Sequence, residues 1–458
     1  MNGLTAGALL AQRGWVVNLY EATSTIGGAG RTVDLGRPGF VHDVGASVVP
    51  MAVLSPAFSD LGVNGQVEYL NPIVAVAHPR DNAPAVGLAP DTGLVGLDDA
   101  LWDRWLASSA THVDATTRIA FSAPFPAMRD LPRAVSFAFR ALRRADLRAR
   151  RFDTDEAGLL FAGIAAHAVA PFTVRGVTGV GLILAAAART VGWPVVSGGT
   201  QSVIDALERI VVGSGGTIHV DTRITSISDL VPSSAILLAT SGPAAGRIAG
   251  DTLFPSVSRR LAKSKRGPGI FKLDWALDGA IPWSDPICAA SATVHLGGTV
   301  AEIEASELAM WNGRVSDQPF VILTQPSVVD PTRAPAGKHT AWAYAHVPNG
   351  WASDVTEAIE SQVERFAPGF SKLILRRTVS SPAELERSNA NLVGGDLGMG
   401  QFGVSAVIRR PRLIRHPHRI GKGVYLASAA ATPGPGFHGM PGYRAALTAI
   451  HDNRLSSG

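Results

Sequence analysis

The pattern of apolar and polar positions divides the chain into units. Asn2 to Arg13 reads as a short apolar helix broken by Gly14, and Trp15 to Tyr20 as an apolar strand ending on an acid, Glu21. Thr32 to Asp43 alternates around a Pro-Gly turn and predicts a hairpin, and a short helix begins at Ser55 and runs to Leu61. Val67 to Val76 and Ala85 to Leu88 read as strands of a different unit, separated by turn-rich His78 to Pro84, so a boundary is placed near residue 66. Residues 94–170 are mostly helical, and the stretch 98–120 carries Trp102, Trp105 and Leu106 on one face. Two apolar runs, 158–171 and 176–188, are each about 13 residues, short of the ~18 that span a bilayer. They read as buried helices, either plain core or the lining of an apolar cavity.

Further along, Thr200 is a candidate N-cap for a helix over 201–212. A strand at 217–220, a short hairpin at 221–227 and a strand at 235–239 follow, so the chain has returned to its first unit. Strands at 270–277, 291–300, 320–325 and 339–346 join residues 67–88 in one antiparallel-rich sheet, and 356–366 is a helix. Near the end, a buried strand at 423–429 leads through a Pro- and Gly-rich loop into a helix from about Met440 to Asn453.

The first thirty-one residues carry the clearest chemistry. A dinucleotide-binding fingerprint places Gly-x-Gly-x-x-Gly between a strand and a helix, with an acid about 20 residues on. Gly3 fits the third glycine, where helix and strand pack closely, and Glu21 fits the acid that holds ribose hydroxyls. Gly27, Gly28 and Arg31 let the backbone pass close to a cofactor and point to a flavin-type unit. The first strand and the first two glycines are not in the sequence, and a coding start upstream is the expected reason. At the other end the N-terminus of the last helix offers free N–H groups and a partial positive charge, with Gly434, Gly436, Gly439 and Gly442 around it. The glycine-rich loop 394–400 lacks a following Lys-Ser/Thr and is not a phosphate-binding P-loop.

Composition bounds the rest. With 458 residues, 46% of them hydrophobic, the chain can bury a large core, and its net charge of +4 from 41 basic and 37 acidic residues is not a nucleic-acid signature. Cys288 is the single cysteine, which precludes an internal disulfide and a Cys-based metal site and fits a reducing cytoplasm. The histidines His167, His295, His339 and His346 lack ligand spacing, so no metal is expected. No Gly-x-Ser-x-Gly elbow is present. The stretch 137–151 is rich in arginine and reads either as a solvated face or as a weak peripheral membrane contact.

Both ends together resemble the FAD-dependent phytoene desaturase/amine oxidase superfamily, and most closely its phytoene-dehydrogenase-like branch. The residues that carry the resemblance are NGLTAG, EATSTIGGAGR, GWPVVSGGTQSVIDAL, GPGIFKLDWALDGAIPW and TPGPGFHGMPGYRAA, spread over essentially the whole chain. The resemblance implies an α/β fold: a Rossmann-like FAD-binding domain, lacking its first strand here, interleaved with an α+β substrate domain that contains a mixed or antiparallel sheet. The expected FAD-binding domain comprises residues 1–66, 191–266 and 411–458, and the substrate domain, with a helical lid, residues 67–190 and 267–410.

The resemblance implies one noncovalent FAD. Gly3, Glu21, Gly27, Gly28 and Arg31 would match its first motif, Ile224 the backbone that meets adenine, and His438, Gly439 and Met440 the flavin-ring end. Two departures stand out: the opening Gly-x-Gly is absent, and Ala427-Ser428 replace a common Gly-Asp. Lys272, on an apolar strand, is the candidate catalytic residue by likeness to the amine oxidases, where a lysine on a matching strand holds water near the flavin. Its alternative is a salt bridge with Asp274 or Asp278. His438 is either a proton relay or loop filling. The expected activity is an FAD-dependent oxidoreductase that takes a hydride from an apolar or amine-like small molecule, with an unidentified electron acceptor. A non-catalytic flavoprotein-like role and a flavin-dependent isomerase stand as alternatives.

Overall fold

The computed structural model describes residues 1–122, 128–404 and 416–456. The expected boundary at residue 411 lies outside them. In chain order the strands are β1 (Asn18–Tyr20), β2 (Thr32–Asp34), β3 (Val41–Asp43), β4 (Tyr69–Leu70), β5 (Val76–Arg80), β6 (Ala83–Ala89), β7 (Gly93–Val95), β8 (Val195–Val196) and β9 (Thr217–His219). They continue as β10 (Ile236–Leu238), β11 (Gly269–Leu277), β12 (Thr293–Leu296), β13 (Val321–Thr324), β14 (His339–Val347), β15 (Ile374–Ser380), β16 (Arg419–Gly421) and β17 (Val424–Leu426).

The nucleotide-type unit is split. β1 pairs in parallel with β9, while β10 pairs in parallel with β17, which continues to β16, and these are separate sheets. The first helix, Asn2–Gln12, lies across both. A Cβ on Gly3 would come 3.2 Å from the Cβ of Ala239 at the end of β10, and one on Gly7 would sit 3.4 Å from Leu19 of β1. The close packing expected of Gly3 is therefore present. The helix buries Leu4, Leu9 and Leu10 against Val203, Leu207 and Val211 of the Gln201–Gly213 helix and against the last helix, Met440–Ser456.

The other large element is an eight-stranded mixed sheet of order β15-β11-β14-β13-β12-β5-β6-β7. β11 and β14 pair antiparallel along their whole nine-residue lengths, Gly269 opposite Val347 and Leu277 opposite His339. Val74, Leu273, Trp275, Leu323 and Ala343 pack beneath it with the Thr356–Phe366 helix. A helical layer on the opposite side centres on Asp155–Ala166 and Val177–Thr190, with Trp102, Trp105, Phe152 and Phe161 in mutual ring contact.

Several local expectations change. The turn between β5 and β6 is tight, at Asp81 and Asn82, because strand pairing extends through His78 and Arg80. The 98–120 helix breaks at His112, whose φ of −120° is not helical. The arginine-rich stretch forms two helices, Leu131–Ala141 and Ala145–Ala149. Residues 221–227 carry no strand; Ser226 and Asp229 instead form a capping box. Thr200 does not cap with its side chain, because its N–H and Oγ1 both donate to Asp43 Oδ1, at 3.0 and 3.1 Å.

Candidate functional site

One cavity of about 1830 Å³ runs from the split unit into the space beneath the helical layer. Ligand pockets are typically ~300–1,000 Å³, and this larger volume includes the slot between the facing edges of β1 and β10. Gly3, Glu21, Gly27, Gly28, Arg31, Ile224, Lys272 and His438 all line it, although Gly3 and Ile224 are 221 positions apart in sequence. Gly439 and Met440 do not. A Cβ on Gly439 would strike Thr5 Oγ1 at 2.6 Å and Phe58 at 2.7 Å, so that glycine lets the last helix dock on the first.

At the first end, Glu21 Oε1 accepts from the N–H and the Oγ1 of Thr23, both at 2.9 Å. Its Oε2 makes no hydrogen bond among the described residues and is available to a ligand's hydroxyls. Gly27 and Gly28 adopt φ of 110° and 60°, the left-handed region that side chains rarely enter. The turn they make brings Arg31 Nε to the Gly28 carbonyl at 3.0 Å and its NH1 to Thr25 Oγ1 at 2.8 Å. Arg31 forms no ion pair among the described residues, so its charge remains for an anion. A carboxylate for ribose, glycines that leave room for a ligand and an unpaired guanidinium fit the donor set of FAD. The cavity also passes between β1 and β10, along Val17, Leu19, Ile236 and Leu238, where among the described residues neither strand has a partner on the facing edge.

His438 occupies the turn before the last helix. Its Nδ1 accepts from the N–H of Met440 at 3.2 Å and its Nε2 meets the Pro435 carbonyl at 3.3 Å. Its ring packs on Phe121, centroids 4.4 Å apart, and burial pushes its pKa down to about 4. With both nitrogens held by its own loop, this histidine caps the helix, and one of the N–H groups expected to face a ligand is already satisfied.

The sheet supplies the opposite wall in two rows. Strand registry aligns Asp274, Trp342, Thr324 and Thr293 in one row, and Lys272, Tyr344, Ile322 and His295 in the next. Lys272 is buried at 3% exposure, donates to both Asp274 oxygens and to the Asp43 carbonyl, and lies 5.0 Å from the centre of the Trp342 ring. His42 Nδ1 stands 3.6 Å from Asp274. The ion pair with Asp274 is thus formed, while Lys272 still borders the cavity; Asp278 instead pairs with Lys338.

Asp43 is a hub that sequence reasoning missed. Its Oδ1 accepts from Thr32 and Thr200, and its Oδ2 from Arg333 NH1 at 3.0 Å. Arg333, fully buried, also binds Asp330 at 2.7 Å and the Val196 carbonyl. The strand after the glycine–arginine loop and the Gln201–Gly213 helix are fixed to this carboxylate, and the sheet lysine to the main-chain carbonyl of the same residue. Only Asp43's place at the end of the expected hairpin hinted at this; Arg333 ends a short 3-10 turn, Pro331–Arg333, that carries no motif.

Behind the chamber lies a second buried polar group. His167 Nε2 and His295 Nε2 are 2.9 Å apart, and His346 Nδ1 meets Glu307 Oε1 at 2.6 Å. His78 Nε2 must donate to the Gly297 carbonyl at 2.6 Å, which leaves its Nδ1 as an acceptor. Burial drives the pKa of His78 to about 4 and of His167 to about 3, and pushes His295 well below its ordinary value. The rings of His78, His167 and His295 are therefore neutral at pH 7. His167, half-buried, is the member that lines the cavity, beside Val180, Ile183, Leu184 and Trp193. Among the described residues no group of three or more His, Cys, Asp or Glu side chains could hold a metal ion. No described helix is long and apolar enough to cross a membrane.

Comparison with known proteins gives a consistent result. Residues 1–247 match the family described as flavin containing amine oxidoreductase. Pyridine nucleotide-disulfide oxidoreductase domain-containing protein 2 of Rattus norvegicus is 24% identical over 306 residues, 57% of this chain and 51% of that protein. Phytoene desaturase (neurosporene-forming) of Rhodobacter capsulatus is 22% identical over 284 residues, 52% of this chain and 50% of that one. The chain spans about half the length of these curated relatives. Among solved structures, wild-type putrescine oxidase bound to putrescine has a TM-score of 0.63 at 13% identity, covering 99% of this chain and 97% of that one. An oxidoreductase from Methanosarcina mazei gives 0.62 at 14% identity, with 98% of each chain covered. At such identities the structural likeness is one of fold.

Proposed function

This chain belongs to the flavin containing amine oxidoreductase family, and from that premise we propose that it is an FAD-dependent oxidoreductase acting on a neutral, largely apolar small molecule that carries one polar group. The observation behind this reading is the continuous cavity, with Glu21, Gly27, Gly28 and Arg31 at one end and an apolar chamber at the other. Bound FAD would supply the hydride acceptor. The protein's part is to bind, orient and exclude water. Glu21 would hold ribose hydroxyls, and Arg31 would face the diphosphate charge.

The chamber favours a neutral substrate over a cationic amine. Glu21 and Asp396 are the only acids among its described lining residues. Glu21 sits at the nucleotide end, and Asp396 already accepts from the N–H groups of Gly267 and Gly398. The Trp342 face, the natural partner of an amine cation, already carries Lys272. That lysine gives its three N–H donors to Asp274 and the Asp43 carbonyl, so the ion pair would act on a substrate oxygen or a water through its dipole rather than by a direct hydrogen bond. His167 offers the substrate a neutral ring whose Nε2 is tied to His295, so Nδ1 is the atom left to meet a hydroxyl or carbonyl.

The test is anaerobic. Protein reconstituted with FAD and desalted should stay yellow, and its flavin should bleach with detergent-dispersed hydroxylated or keto polyenes and not with diamines. His167→Phe should raise KM for those polyenes and leave KM for an unsubstituted hydrocarbon unchanged. Loss of all colour on desalting, or bleaching by a diamine alone, would overturn the proposal.

A further inference from the structure

The Leu131–Ala141 helix is built the wrong way round for a protein interior. Its inner face is Ala134, half-buried Phe137 and Ala141, and a Cβ on Gly179 of the Val177–Thr190 helix would meet the Ala141 Cβ at 2.8 Å. Its remaining large apolar residues face out. Met128, Leu131, Val135, Phe139 and Leu142 are 82%, 42%, 62%, 66% and 39% exposed, and they recur every three or four positions, along one stripe. Leu147, in the next helix, is 50% exposed. A contiguous apolar stripe of this kind on a folded surface marks an interaction site.

Charge decides the partner. Arg129, Arg133, Arg143, Arg144, Arg150 and Arg151 are all exposed around the stripe. The acids nearby are already engaged: Asp130 is buried against Arg118, Asp146 pairs with Arg144, and Glu304 pairs with Arg150. Arg133, Arg143 and Arg151 make no ion pair among the described residues. Arg143 lies over the Phe139 ring at 4.7 Å, a cation beside an apolar wedge.

We propose that this face docks on the surface of an anionic phospholipid bilayer. The stripe would enter the boundary between headgroups and acyl chains, and the arginines would meet lipid phosphates. A second copy of the chain would bring arginine against arginine. The Val177–Thr190 helix on which the stripe helix packs lines the apolar chamber through Val180, Ile183 and Leu184, so the docking face and the chamber share one wall. The proposal does not depend on the redox reading.

Full-length protein is mixed with large unilamellar vesicles of phosphatidylcholine alone or with phosphatidylglycerol, then sedimented. Binding is expected only with phosphatidylglycerol and should weaken as salt rises. Arg133→Gln/Arg143→Gln/Arg151→Gln should weaken it by on the order of 100-fold, at about one order-of-magnitude step for each 1.4 kcal/mol and ~1 kcal/mol per charge. Val135→Glu/Phe139→Glu should abolish it without altering melting temperature or flavin content; Val135→Ser/Phe139→Ser serves if the charged pair disturbs folding. Failure to sediment with either lipid overturns the proposal. So do unchanged binding by the variants, and a dimer in gel filtration that the same variants dissolve with no vesicle binding.

Discussion

Lys272 Nζ lies 2.8 and 2.9 Å from the two carboxylate oxygens of Asp274, inside the protein and at the edge of the cavity. The side chains leave the same face of β11, two residues apart, and the third donor position of the ammonium reaches the Asp43 carbonyl at 2.9 Å. A buried pair of this kind is costly to break and cheap to replace. Lys272→Met should destabilise the protein by about 3–5 kcal/mol in urea denaturation, because Asp274 keeps only His42, 3.6 Å away. Lys272→Met/Asp274→Leu should recover most of that loss. In the recovered double variant turnover should still fall by at least about tenfold, since a preorganised dipole beside reacting atoms is worth that much. Full activity there would reduce Lys272 to a structural role.

The glycine–arginine turn makes a second prediction. Gly27→Ala places a side chain at φ 110°, with its Cβ 3.1 Å from two carbons of Ile204. Strain of ~1–3 kcal/mol is expected, and it falls on the cavity wall. Glu21→Gln keeps the shape and removes the charge, which should raise the dissociation constant for FAD about tenfold, or ~1.4 kcal/mol. Flavin fluorescence titration measures both. Gly215→Ala is the control: φ 85°, nothing within 4 Å of the new carbon, and no place on the cavity, so stability should drop with affinity intact.

The buried histidines set the acid limit of the fold. Their ordinary pKa of 6.5 is lowered to about 4 in His78 and His438 and to about 3 in His167. A depressed pKa means that the unfolded chain takes up protons first as pH drops. Stability is therefore complete above pH 6.5 and erodes between there and pH 4. His78→Gln keeps a donor for the Gly297 carbonyl and removes one titrating ring. Thermal unfolding across this range should show an acid slope shallower by about 1.4 kcal/mol per pH unit. An unchanged slope would show that His78 is already protonated when folded.

Much of this was legible in the residues, for local reasons. Periodicity marks the Thr356–Phe366 helix at its observed ends, and the Pro-Gly turn marks the β2–β3 pair. The glycines and the acid of the first thirty-one residues line one cavity because close approach needs glycine there. What escaped was set by distant partners. Nothing near Thr200 reveals that Asp43, 157 positions away, takes its N–H and hydroxyl. The scattered histidines looked unrelated because His167 and His295 meet only when the helical layer folds over the sheet, 128 positions apart. The arginine richness of residues 137–151 was visible as composition. The sequence alone could not show that alanines would claim the inner face and leave Val135 and Phe139 outside.

The run of Glu21, Gly27 and Arg31 together with Ile224 and Lys272 along one cavity has a thermodynamic consequence. A dinucleotide lodged there would tie together walls drawn from distant parts of the chain. Durability toward heat and protease would then track cofactor supply, each tenfold rise in free ligand above its dissociation constant adding about 1.4 kcal/mol. Cells short of that ligand would hold a looser, shorter-lived molecule.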